Sequence, residues 1–194
     1  MGNITTLDHA HTHGHTAFLY QTAQERLKLL AEYFKQGLKA HELCIFVTPE
    51  SEKQVIQDFK EYALDVTSAI KSGALRVFEM EDTYLPHGSF VRNYMLTNVT
   101  NFAEDAQREG YRGIRTAGEM SWLNRTPEAV ADALDYEQDI DEFAGSNKTF
   151  VGMCLYPVHD TDSEVLSGAF NTHASVIFDD DLNVHPSKAI PATG

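Results

Sequence analysis

Short runs of unbroken apolar residues alternate along this chain with longer segments whose apolar positions recur every three or four residues. The runs are Thr16–Tyr20 (TAFLY), Leu43–Val47 (LCIFV), Leu75–Met80, Ile114–Ala117, Thr149–Tyr156 (TFVGMCLY) and Ser175–Phe178 (SVIF). They have strand length and lack the alternation of a strand wetted on one face, so each reads as a strand covered on both sides. Between them, four stripes have helical spacing: Leu27, Leu30, Ala31, Phe34 and Leu38; Val55, Ile56, Phe59 and Ala63; Val91, Met95, Val99, Phe102 and Ala106; and Val130, Ala133, Leu134, Ile140 and Ala144. Helix starts are written in the polar residues. Thr22-Ala-Gln-Glu25 is a capping box. Thr48-Pro49 and Thr126-Pro127 pair a cap with proline at the first helical position. Ser89 can cap the third helix, which Gly110 stops, and Asp162 opens a short helix to about Asn171.

Strands alternating with amphipathic helices predict a parallel sheet with helices on both faces. The expected fold class is α/β, a three-layer sandwich with a mainly parallel central sheet. Its expected extent is residues 13–180, after a histidine-containing arm at 1–12 and before a tail at 181–194. The segment from Asp179 to Gly194, which opens with three consecutive Asp, reads as a surface hairpin or a tail.

Composition changes this picture in one respect. Fifteen Lys and Arg against 29 Asp and Glu give a net charge of -14 over 194 residues. That excess repels phosphate backbones and anionic lipid, so neither direct nucleic-acid nor membrane binding is expected. There is no membrane-spanning apolar run and no signal-peptide pattern. Cys44 and Cys154 each sit inside an apolar run without a CxxC partner, which argues against a disulfide or zinc framework. A reduced, cytoplasmic protein is the expectation.

Absent motifs narrow the chemistry. The turn after the first strand, Tyr20-Gln-Thr-Ala-Gln-Glu25, has no glycine and no lysine, and neither GxxxxGK[ST] nor GxGxxG occurs. No nucleotide cofactor is therefore expected. GxSxG and HExxH are absent too, and no catalytic residue is assigned. An acid/base enzyme using Glu119 or Glu137 is the remaining enzymatic alternative.

Several residues can carry chemistry. In Ile114–Trp122 a strand ends in Arg115, Glu119, Ser121 and the sole tryptophan, where open α/β sheets bind ligands. Arg115 facing Glu119 reads either as such a site or as an ion pair tying down a loop. Glu137 lies on the inner stripe between Leu134 and Ile140, so it either needs a partner, Arg115 or a ligand donor, or sits at the edge of the stripe and reaches water. Tyr136 borders the same face. His173, before the last strand, reads as a hydrogen-bonded core residue or as a ligand, and Cys154 as a small core hydrophobe. His9, His11, His13 and His15 alternate, so in an extended segment they share a face that could hold a transition metal.

Taken in order, these features resemble the MEDS domain, the methanogen/methylotroph DcmR-type sensory domain. The likeness rests on His13-Gly-His15 with Phe18-Leu-Tyr20, Phe34-Lys-Gln-Gly37-Leu38, and Cys44-Ile-Phe-Val47-Thr-Pro-Glu50. It continues through Gly113-Ile-Arg115-Thr-Ala-Gly118-Glu119-Met-Ser-Trp122, Tyr136-Glu137, Cys154-Leu-Tyr156 and His173. The chain departs from the pattern at Pro157 and Ala174. The resemblance implies a RecA/KaiC-like fold without a phosphate loop and a non-catalytic sensory role, in which a small molecule, a hydrocarbon derivative, is bound. The signal would pass to a transcriptional or two-component regulator or kinase chain, with a homo-oligomer as a further prospect. Arg115, Glu119, Trp122, Tyr136, Glu137, Cys154, His173, His15 and Tyr20 become the candidate ligand contacts. The alternatives are a metal or redox sensor using the N-terminal histidines, and a ligand-free interaction module.

Overall fold

The computed structural model describes residues 5–6, 14–178 and 183–186. Strands β1 (Thr5–Thr6), β2 (Gly14–Tyr20), β3 (Leu43–Thr48), β4 (Leu75–Glu79), β5 (Ile114–Glu119), β6 (Phe150–Pro157), β7 (Ser175–Ile177) and β8 (Asn183–Pro186) form one sheet. Its order is β1-β8-β7-β2-β6-β5-β3-β4. The six strands from β7 to β4 pair in parallel, and β8 and β1 extend the β7 edge antiparallel. Seven α-helices are described: α1 (Ala23–Lys39), α2 (Glu52–Asp58), α3 (Val66–Ser72), α4 (Met80–Tyr84), α5 (Arg92–Arg108), α6 (Val130–Ser146) and α7 (Ser163–Thr172).

Every residue of β3 and β6 is buried, which is why their sequences lack alternation. Because side chains still alternate across the sheet, the two faces build separate cores. Phe18, Phe46, Ala117, Val151, Met153 and Leu155 pack under α1, α2 and α3. Ala17, Leu19, Ile45, Val47, Phe150, Cys154 and Tyr156 pack under α5, α6 and α7. The architecture is the expected three-layer α/β sandwich.

Local signals decide the element ends. Thr22 Oγ1 accepts from the Glu25 amide at 3.2 Å while the Glu25 carboxylate accepts from the Thr22 amide at 3.3 Å, completing the capping box. Asp162 caps α7 by accepting from Glu164 at 2.8 Å. Other boundaries move. Thr48 does not cap a helix, because it pairs with Glu79 in the β3–β4 ladder. The helix waits for Ser51, whose hydroxyl accepts from Gln54. It breaks at the tight turn Phe59–Glu61, so Ala63 falls outside it, and α3 starts anew on an Asp65 cap. Ser89 gives no cap either; extended Val91 precedes α5 without a side-chain cap bond. Met80–Tyr84 is helical rather than the end of a strand and a loop, and Pro127–Ala129 is a 3-10 turn ahead of α6.

β5 runs two residues beyond the apolar stretch, since a buried strand end tolerates Gly118 and a paired Glu119. Two short polar strands, β1 and β8, lie in the segments read as an arm and a tail. Edge pairing requires backbone groups only, so nothing apolar announces it.

The inner stripe of α1 is also displaced. Its buried positions are Arg26, Leu29, Leu30, Ala31, Tyr33, Phe34 and Gly37. Leu27 and Leu38 lie at the flank, so the true inward face contains an arginine.

Candidate functional site

The nominated residues fall into three places. The first is the carboxyl edge of the sheet, where Tyr20 ends β2, Thr48 ends β3 and Glu119 ends β5. Arg26, from the first turn of α1, reaches between them. Its Nη1 donates to Glu119 Oε2 at 3.0 Å and its Nη2 to Glu50 Oε1 at 2.6 Å. The Tyr20 hydroxyl donates to both Glu119 oxygens, at 3.1 and 3.0 Å, and Thr48 donates to Glu50. Burial raises the Glu119 carboxyl above its usual range despite Arg26 and Tyr20. Burial also opposes ionisation of Glu50, but Arg26 and Thr48 outweigh it and hold that carboxyl low. Tyr20 is pushed up by burial and then by the Glu119 charge. In a phosphate-loop protein the segment after this strand cradles an anion. Here that corner is taken by the internal network of Arg26, Glu50 and Glu119.

Arg115 lies elsewhere, in the second place. It shares a face of β5 with Glu119, but four strand residues separate them by about 13 Å. The two therefore cannot pair, contrary to the expectation from spacing. Arg115 Nε instead donates to Glu42 Oε2 at 2.7 Å, and its guanidinium stacks 4.6 Å from the Tyr33 ring centre. Nor is it the partner of Glu137, which lies across the sheet. Arg115 is a buried structural ion pair beneath α1.

The third place is on the opposite face, under α6 and α7. His15 projects from β2, Cys154 from β6, Glu137 from the middle of α6, and His173 from the turn between α7 and β7. All four are buried. His15 Nε2 lies 3.3 Å from both Cys154 Sγ and Glu137 Oε2. Cys154 Sγ is 3.2 Å from Glu137 Oε2, and His173 Nε2 is 3.1 Å from the same oxygen. The imidazole centres of His15 and His173 are 4.1 Å apart. The neighbour of His15 in β6 is Gly152; a Cβ there would stand 2.8 Å from the Phe150 ring and 3.2 Å from the His15 ring. Burial, and then the Glu137 charge, push the Cys154 thiol well up. His9, His11 and His13 lie outside the described residues, so the structure connects only His15 of that alternating series to this cluster.

Beside the cluster is a cavity of about 30 Å³ between the sheet and helices α5 and α6, lined by His15, Cys154, Tyr84, Tyr136, Met95 and Val99 among others. Tyr84 reaches the sheet because residue 118 is glycine; a Cβ there would lie 2.0 Å from its hydroxyl. Trp122 does not line the cavity. It is fully buried, stacked on Phe90 and Tyr84 with ring centres 4.8 and 5.4 Å apart, and supports the cavity wall from behind. Three wider clefts, of about 470, 740 and 600 Å³, open at the surface and contain none of the nominated residues.

Arg26 and Glu50 were missed as site residues. The shifted α1 stripe could have exposed Arg26, because Arg26, Leu29, Leu30, Tyr33, Phe34 and Gly37 also have helical spacing. Nothing in the sequence near Glu50 signals its role.

Fold and site together define a RecA/KaiC-type α/β sandwich with an ion network at the carboxyl edge of its sheet. A family model for the methanogen/methylotroph DcmR sensory domain, MEDS, matches residues 14–174, and the chain belongs to that family. The transcriptional repressor DcmR of Methylorubrum extorquens (strain DSM 6343 / CIP 106787 / DM4) is 24% identical over 162 residues. That match covers 83% of this chain and 58% of the repressor, so the chain spans less than two thirds of its relative. In three dimensions the chain resembles a KaiC-like protein of Pyrococcus horikoshii OT3, with a TM-score of 0.58 and 11% identity. That likeness covers 85% of this chain and 70% of the archaeal one, and concerns the fold. Among the described residues, no helix is long and apolar enough to cross a membrane.

Proposed function

We propose that this chain is the signal-receiving domain of a transcriptional control system, and that it takes up a small, weakly polar molecule in the cavity beside His15 and Cys154 without transforming it. The observation that carries this reading is the cavity itself, whose wall is mostly apolar and aromatic with His15, Thr116 and Cys154 as polar groups. Pockets of that make-up bind small molecules. Its volume of about 30 Å³ sets the size. A space of that order holds one or two waters, so it admits a ligand of one or two heavy atoms, and the small hydrocarbon derivatives that the family resemblance implies are of that size.

Two features favour binding over catalysis. Glu137 and Cys154 both meet the same nitrogen of His15, whereas a nucleophile–base–carboxylate relay needs the carboxylate on the other ring nitrogen. The carboxyl edge, the usual reaction site of this fold class, is occupied by Arg26 and its two carboxylates. The signal would leave through α5 and α6, which form one cavity wall, toward a regulator or kinase chain in the reduced, cytoplasmic setting expected from the sequence. Ligand can bias such a movement only by binding one arrangement better than the other.

The test is urea denaturation of untagged protein with methanol, methylamine or chloromethane as probes, alongside native mass spectra. A ligand at about 100 times its dissociation constant adds about 2.7 kcal/mol of stability. A saturable shift with at least one probe is the expected result. No shift with any of them, together with no retained organic mass, would overturn the reading.

A further inference from the structure

We propose that His15 Nε2, Glu137 Oε2, Cys154 Sγ and His173 Nε2 form a four-coordinate site for one transition-metal ion of the zinc class. This inference stands apart from whether the neighbouring cavity takes an organic ligand.

Four chemically apt donors from separate parts of the fold converge here, with all four ligand atoms within 4.8 Å of one another. In a tetrahedral zinc site with Zn–N and Zn–O near 2.0–2.1 Å and Zn–S near 2.3 Å, neighbouring donors are about 3.3 Å apart for N and O and about 3.6 Å for pairs with sulfur. The observed N–O separations are 3.3 and 3.1 Å, and the pairs with sulfur are 3.3 and 3.2 Å. Without an ion the same atoms stand at hydrogen-bond and ion-pair distances, so a bound ion needs them to move apart by at most a few tenths of an ångström along these contacts.

Proton positions point the same way. His173 Nδ1 lies 2.9 Å from the Ala169 carbonyl oxygen. That oxygen can only accept, so Nδ1 carries the hydrogen. In the neutral ring, Nε2 then presents a lone pair to Glu137 Oε2, which is also an acceptor. A backbone carbonyl fixing one nitrogen while the other faces a metal is the usual second-shell arrangement for a ligating histidine. A dication lying between these two atoms would be held by both.

Charge also balances. A dication, the Glu137 carboxylate, a Cys154 thiolate and two neutral imidazoles sum to zero, which suits a site buried under an apolar layer. Coordination takes Cys154 as the thiolate, so binding releases the thiol proton to solvent. Two nitrogens and a sulfur select a zinc-class ion over magnesium or calcium, which prefer all-oxygen sites. The ion would tie β2, β6, α6 and the α7–β7 turn together.

The test uses the untagged full chain carrying His9→Asn, His11→Asn and His13→Asn, so that the arm cannot contribute. The protein is reduced, stripped with chelator and titrated with Co²⁺ and then Zn²⁺. Expected are one equivalent of Co²⁺ with a tetrahedral visible spectrum and a thiolate charge-transfer band, and its displacement by one equivalent of Zn²⁺. Cys154→Ser should remove the charge-transfer band. His173→Gln should weaken Zn²⁺ by more than ~100-fold, exceeding what loss of a second-shell partner costs. Because either variant could fail to fold, X-ray absorption at the zinc edge of the parent chain supplies a second readout: one sulfur at about 2.3 Å with N/O donors at about 2.0–2.1 Å. Substoichiometric metal, an octahedral Co²⁺ spectrum, absence of sulfur, or unchanged Zn²⁺ affinity in folded His173→Gln would each overturn the proposal. None of these outcomes bears on organic-probe binding, so the two readings fail separately.

Discussion

Replacing Arg26 with alanine probes the ion network at the carboxyl edge. In the native chain Arg26 spans Glu119 at 3.0 Å and Glu50 at 2.6 Å. Glu119 is 1% exposed, so the substitution leaves a carboxylate in the protein interior with the Tyr20 hydroxyl as its remaining donor in the network. Removing one partner of a buried pair costs about 3–5 kcal/mol, while the more exposed Glu50 half contributes about 0–1 kcal/mol. A loss of about 3–5 kcal/mol near pH 7 is therefore expected, a large share of the about 5–15 kcal/mol that stabilises a typical domain.

The pH dependence follows from the carboxyl shifts. Glu119 is already raised by burial, and Arg26 is the strongest group drawing it down, so the variant raises it further. A carboxyl with a folded pKa above its unfolded value of about 4.3 destabilises the fold fully above the folded pKa. That penalty fades as pH falls through it. Glu50 behaves oppositely in the native chain. Its lowered pKa contributes stability that is present above about 4.3 and is lost as pH falls through the folded value. Both effects narrow the gap between native and variant in acid. Urea denaturation followed by Trp122 fluorescence, from about pH 8 to about pH 5, reads the Glu119 effect, the Glu50 effect falling below about pH 4.3, because Trp122 is the one tryptophan and is fully buried. A deficit under ~1 kcal/mol, or one equal at both ends of the range, would refute the reasoning.

Other substitutions separate the two faces of the sheet. Val99→Leu adds one methylene to the cavity wall and should raise stability without ligand by about 0.5–1 kcal/mol while abolishing probe-induced stabilisation; lower stability with probe response intact would contradict the assigned cavity. Gly118→Ala places a Cβ against the Tyr84 hydroxyl, so a loss of about 1–3 kcal/mol and a shifted Trp122 emission are expected, the emission because Tyr84 stacks on that indole. Arg115→Ala should cost about 3 kcal/mol through the stranded Glu42 and the lost stacking on Tyr33. Where it still folds, it should leave probe and metal binding unchanged, since Arg115 lies beneath α1. A selective loss of either binding would restore Arg115 to the site.

The strands and layers were legible in the sequence because a parallel sheet covered on both faces needs uninterrupted apolar runs. The Thr22–Glu25 box and the Asp162 cap were legible because capping is local. Buried Glu137 was legible from its helical phase. Its partners were not, since they come from β2, β6 and the α7–β7 turn, and only the sheet order brings these together. The same holds for Arg115 and Glu119: four residues apart reads as proximity on a helix, but as about 13 Å on a strand. Arg26 was hidden by a competing apolar stripe on α1, one residue out of phase with the stripe that faces the core. The edge strands β1 and β8 left no apolar trace.

The central claim, that the receiving site lies under α5 and α6 and not at the carboxyl edge, is most directly tested by methyl NMR of protein labelled at its methionines. Met95 lines the cavity from α5, Met153 packs on the opposite face of the sheet under α1, α2 and α3, and Met80 directly follows β4 and Met120 directly follows β5 at the carboxyl edge. Titration with methanol, methylamine or chloromethane should move the Met95 methyl in a saturable, one-to-one manner while Met153, Met80 and Met120 shift little. Saturable shifts confined to Met80 and Met120, or none at Met95 with any probe, would contradict it.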